Sequence, residues 1–95
     1  MSPRLGQVGE VVVFFYNQEE HQRPHVHVRG SGLRATVDIE TGRVIAGRLP
    51  PRLERQVRRW VLARREALHD AYVQGLRHVD SDTIRRRFEE RTRES

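Results

Sequence analysis

The sequence predicts an α+β fold, a four-stranded antiparallel β-meander packed by one long α-helix, with a short helix at the C-terminal end. Three observations lead there. Leu33 to Glu40 alternates apolar Leu33, Ala35, Val37 and Ile39 with polar Arg34, Thr36, Asp38 and Glu40, the period of a half-buried strand. Gly30-Ser31-Gly32 and Thr41-Gly42 bracket that run with turn-forming residues. After Pro50-Pro51 the apolar residues recur at helical spacing instead.

In chain order, Glu10 to Tyr16 is apolar almost throughout and suits a strand buried on both faces. Asn17 to Arg23 is polar and reads as a loop closed by Pro24, which disfavours helix just before it. His25 to Arg29 is the second strand, Leu33 to Glu40 the third and Arg43 to Arg48 the fourth. A two-residue turn at Ser31-Gly32 pairs Val28 with Ala35, Val26 with Val37, His27 with Thr36 and His25 with Asp38. A slip of one residue would drive both histidines into the core, so the pattern favours this register.

Proline is well placed in a first helical turn, so Pro50-Pro51 opens the long helix. Leu53, Val57, Trp60, Val61, Ala67, Leu68 and Ala71 form its apolar stripe, with Gly75 as its C-terminal cap. Trp60 is expected near the centre of the helix–sheet contact. Ser81 or Asp82 then caps a last helix whose apolar face is Ile84 and Phe88 alone. The division is a single α+β domain over 1–79 and an Arg-rich helical extension over 80–95.

There is no cysteine, which excludes disulfides and thiolate metal sites and fits a reducing compartment. No apolar run reaches membrane-spanning length, and the first residues lack the apolar core of a signal peptide. A cytoplasmic protein without membrane contact is expected. The formal charge is +5, and all 18 basic residues are arginine. Arginine's planar fork suits phosphate and carboxylate, so nucleic acid or an acidic protein is a candidate partner, while a solvated, basic helix surface is the plainer reading of the same charge.

Chemistry gathers in E-H-Q-R-P-H-V-H-V-R, residues 20–29. His25 and His27 project to one side of a strand, and His21 lies beyond Pro24 in a segment able to fold back. Three neutral imidazoles make a candidate site for Zn²⁺ or a similar divalent ion, with Asp38 as fourth ligand or as the group that orients a ring. The same three histidines are candidate acid–base catalysts of metal-independent RNA cleavage, with Arg23, Arg29 and Arg34 holding phosphate. A third reading is non-enzymatic, an interaction module for a small protein or nucleic acid. Gly-rich phosphate loops and nucleophile-elbow motifs are absent.

Read together, F-F-Y-N-Q-E-E-H-Q-R-P-H-V-H-V, D-I-E-T-G-R-V-I-A-G-R-L-P and a helix with R-x-W resemble the small bacterial family named domain of unknown function 4160, from about Val11 to Tyr72. Glu20, Arg23 and Val26 depart from the family's usual D-H-x-P-P-H-F-H run, while the three histidines stay in place. The resemblance implies a small α+β domain, often encoded beside another small protein in arrangements like toxin–antitoxin pairs. It assigns no activity, and transfers only His21, His25, His27, Asp38 and Glu40 as motif positions. The expected function is therefore a component of such a two-gene module, acting through protein or nucleic-acid contact around a histidine-centred polar site. Metal binding and RNA cleavage are the alternatives.

Overall fold

Short β-branched runs separated by glycine turns fold here as successive hairpins. The structure, a computed structural model, describes residues 4–14 and 23–93. Five strands are formed among them: β1 (Arg4–Val8), β2 (Val11–Phe14), β3 (His25–Gly30), β4 (Leu33–Asp38) and β5 (Val44–Arg48). They lie in sequence order in one antiparallel sheet. Three helices follow, α1 (Pro51–Ala63), α2 (Arg65–Leu76) and α3 (Ser81–Arg93). The α+β architecture is as the sequence predicts, but two details are corrected.

The first correction is a fifth strand. β1, R-L-G-Q-V, has only Leu5 and Val8 as apolar residues and a glycine in its middle, so its propensity for extended structure is poor. Tertiary packing forms it. Gly9, at φ +55°, turns the chain between Val8 and Val11, and Leu5 is the extra residue of a bulge between Arg4 and Gly6. A Cβ on Gly6 would lie 2.6 Å from the Trp60 ring, so glycine lets the indole rest on the strand.

The second correction replaces one long helix by two. The stripe Val57, Val61, Leu68 and Tyr72 would, in a continuous helix, bring Arg64 onto the apolar face. The helix instead ends at Ala63, and Arg64 takes φ −120° and ψ 19°. Its guanidinium donates to the Trp60 carbonyl at 3.3 Å and lies 4.6 Å from the centre of the Trp60 ring. Trp60 is consequently half-buried at the β1 edge, 6.0 Å from the ring of Phe88, and not at the middle of the sheet.

The β3–β4 register is the one the alternation dictates: Val28 faces Ala35, Val26 faces Val37, His27 faces Thr36 and His25 faces Asp38. Ser31 (φ 51°) and Gly32 (φ 77°) form the turn. Leu5, Val8, Val11, Val13, Val26, Val28, Ala35 and Val37 belong to the sheet's share of the core, met by Leu53, Val57, Val61 and Leu68. Ile84 and Phe88 of α3 belong to the same cluster.

The cap of α3 is Asp80, one residue before the predicted Ser81 and two before Asp82. Its carboxylate accepts from the Thr83 N–H at 3.0 Å and from the Thr83 hydroxyl at 2.7 Å. Gly75 lies inside α2, and the left-handed residue after that helix is His78 (φ 60°). Arg87 of α3 clamps Asp70 of α2 with bonds of 2.7 and 3.3 Å. Burial alone would raise the Asp70 carboxyl, but the bonds and charge of Arg87, with Arg91 and Gln74 beside it, hold it below the usual carboxylate range.

Candidate functional site

Because β3 alternates, every second residue points away from the side of the sheet that Val26 and Val28 face. His25, His27 and Arg29 are those residues, and the register places Asp38, Thr36 and Arg34 of β4 opposite them. On the outer strand Ala46 faces Thr36 and Arg48 faces Arg34. On the inner strand Phe14 faces His27 and Val12 faces Arg29. Two parallel rows result: Phe14–His27–Thr36–Ala46, and Val12–Arg29–Arg34–Arg48.

His25 is not a surface residue. It is 2% exposed, its ring set edge-on to His27 at 5.0 Å and to Tyr72 of α2 at 5.6 Å. Its Nδ1 lies 2.7 Å from the Arg23 carbonyl. A carbonyl oxygen only accepts, so Nδ1 carries the hydrogen of this bond. His27 is half-buried, its Nδ1 3.3 Å from the Thr36 hydroxyl and its ring 5.8 Å from that of Phe14.

Asp38 stands opposite His25 as predicted, yet its oxygens are directed elsewhere. Oδ1 accepts from the N–H groups of Glu40 (2.7 Å) and Thr41 (3.3 Å), which ends β4 two residues short of Glu40 and starts the turn. Gly42, at φ +71°, completes that turn, its N–H donating to the Asp38 carbonyl at 2.8 Å. Oδ2 pairs with the Arg23 guanidinium. The carboxylate is 1% exposed and Arg23 is 65% exposed, so the pair reaches from the interior to the surface. Glu40 is exposed, and its carbonyl accepts from Arg65 at 3.1 Å.

Of the three predicted metal-ligating histidines, His21 lies outside the described residues. Among the described residues no group of three or more His, Asp or Glu side chains is placed to hold a metal ion. His25 and His27 do stand together.

Of the predicted phosphate-binding arginines, Arg23 is committed to Asp38. Arg29 and Arg34 are exposed and directly opposite each other, Arg29 with its guanidinium 5.2 Å from the centre of the Phe14 ring. The structure adds Arg48, equally exposed and directly opposite Arg34. Sequence reasoning missed it because β5 carries a bulge: Thr36 pairs with Ala46 but Val37 pairs with Val44, leaving Ile45 as the extra residue. Gly47, at φ +79° and pressed against the Arg34 carbonyl, was the available sign of that irregularity. Among the described residues no carboxylate pairs with Arg29, Arg34 or Arg48. Like charges directly opposite on neighbouring strands disfavour the sheet. Three in a row therefore do not serve the stability of the sheet.

Between the two rows lies a depression of about 340 Å³, bordered by Arg29 and Arg34 on one side and by Phe14, His27, Thr36 and Ala46 on the other, with Val28, Ala35 and Gly47 between them. Neither a curated protein nor a solved structure matches the chain. Residues 11–72 do match the family described as Domain of unknown function (DUF4160). That segment is more than half of the chain and contains the histidine run, the D-I-E-T-G turn and all of α1. The chain belongs to the DUF4160 family.

Proposed function

We propose that the protein is a component of a small bacterial two-gene module that acts by contacting nucleic acid, with the Arg29–Arg34–Arg48 row as its phosphate-binding surface. The single observation that carries this reading is that row, three exposed guanidinium groups in register with no carboxylate paired to them among the described residues. The two-gene setting, and a small partner protein encoded by the neighbouring gene, rest on the family resemblance.

Salt dependence tests the reading. Three phosphate contacts give affinity for RNA or DNA that falls about 20–40-fold between ~50 and ~200 mM salt. Arg34→Glu is expected to remove most of that binding and to flatten its salt dependence. Absence of binding at ~50 mM salt by the folded protein would falsify the reading.

One observation favours a second function, for the histidines beside that row. A metal-ligating histidine usually donates its other ring N–H to a carbonyl, and His25 does so to Arg23. On this reading His21, His25 and His27 hold Zn²⁺ or a similar ion, and purified protein retains close to one ion per chain. Retention is lost in His27→Ala, and it declines as pH falls through the imidazole range because only the neutral ring ligates. Metal-free wild-type protein under zinc-replete expression sinks this second reading. RNA cleavage by that same metal-free protein, lost in His27→Ala, would instead support acid–base catalysis.

A further inference from the structure

We infer that these two rows form a track for single-stranded nucleic acid, with phosphates along Arg29, Arg34 and Arg48 and a base seated in the depression beside them. The inference rests on the nucleic-acid reading above and narrows its ligand. Adjacent strands lie about 4.8 Å apart, so the three arginine Cα atoms span roughly 10 Å across the sheet. Long side chains from such a line reach successive phosphates of one strand. Phe14, His27, Thr36 and Ala46 run parallel to it, displaced by two residues or about 7 Å along the strands. A charged line beside the partly exposed His27 ring, with the Thr36 and Ala46 side chains next to it and Phe14 buried at its end, matches the two edges of an unpaired strand, its backbone and its bases.

The depression argues for one strand and against two. Its volume of about 340 Å³ suits a single nucleotide and little more. Ala46 is exposed and small, and Gly47 beside it has no side chain, so β5 leaves this space open. The Arg29 guanidinium, already over the Phe14 ring, offers a cationic plane on which a base stacks. The Thr36 hydroxyl and the His27 ring line the side away from the arginines, where a base presents its polar edge. A duplex keeps its bases stacked inside and would meet the arginines alone, leaving the depression unused.

Ala46 separates the two contributions. Ala46→Leu fills the depression from an exposed position and leaves all three arginines in place. Fluorescence anisotropy with a labelled 12-nucleotide single-stranded RNA, the same sequence as DNA, and the corresponding RNA duplex reads the outcome. The expected result is that the single strands bind about tenfold or more tighter than the duplex. Ala46→Leu then weakens single-strand binding about tenfold, the loss of one stacked base, without changing duplex binding. Arg48→Glu weakens both. Duplex binding equal to or tighter than single-strand binding overturns the inference, and that comparison needs no variant. So does an Ala46→Leu protein, folded by circular dichroism, that binds the single strand like the parent. In either of those cases loss of binding in Arg34→Glu leaves the broader nucleic-acid reading standing. No binding to any of the three probes removes both.

Discussion

Phe88→Ala is expected to destabilise the whole protein by about 3–5 kcal/mol, measured by chemical denaturation. Phe88 is 3% exposed, and its ring lies 6.0 Å from that of Trp60. Ile84, one turn earlier, is 1% exposed in the same cluster. With only these two apolar residues α3 has little reason to be helical alone, since isolated helices of this length are marginal in water. Packing holds it, and it in turn covers Trp60 and β1. The variant should therefore unfold in one transition at a lower midpoint, with sheet and helix signals lost together. A variant that keeps the parental midpoint for the sheet while losing only the signal of α3 would show the helix to be peripheral.

The second large effect concerns Asp38. Asp38→Ala removes the acceptor for the Glu40 and Thr41 N–H groups and leaves the Arg23 guanidinium without its carboxylate. Each lost buried acceptor costs about 1–3 kcal/mol, so a total of roughly 2–4 kcal/mol is expected, allowing for water reaching the turn. Asp38→Asn retains an oxygen at the Oδ1 position and should recover more than half of the loss. Arg23 is mostly exposed, and an ion pair open to water contributes little. If Asn proves as harmful as Ala, the charge pair and not the turn is the dominant interaction. Either variant also reports on the histidines, because the Arg23 carbonyl that orients His25 belongs to the residue Asp38 holds.

How much of this was readable beforehand differs from element to element. The β3–β4 hairpin was fully legible, because a slip of one residue exchanges two valines for two histidines in the core. β1 was not, since Leu5 and Val8 become interior only when Trp60 and Leu53 close over Gly6 and Gly9. The helix break was present as a charged residue at a stripe position, but recognising it required asking where Arg64 could go. His25 was expected on a polar face and is buried by Tyr72, a residue distant in sequence whose approach no local pattern announces. Arg23, grouped with the phosphate-binding arginines, is taken by Asp38, a contact made across the sheet end. Arg48 was hidden by a single extra residue in β5, which shifts the alternation just before it.

The seating of Trp60 between Gly6 and Phe88 bears on how the chain is made as well as on how it stands. The sheet is a meander, so β2 to β5 can zip up from neighbour to neighbour as they leave the ribosome. β1 emerges first, but the Phe88 ring that backs its tryptophan is synthesised some 82 residues later. At ~5–20 residues per second that interval is about 4–16 s. Throughout it Leu5 and Val8 lack their final cover, and for its last 28 residues the Trp60 indole does too, a period in which the nascent chain depends on whatever else shields them.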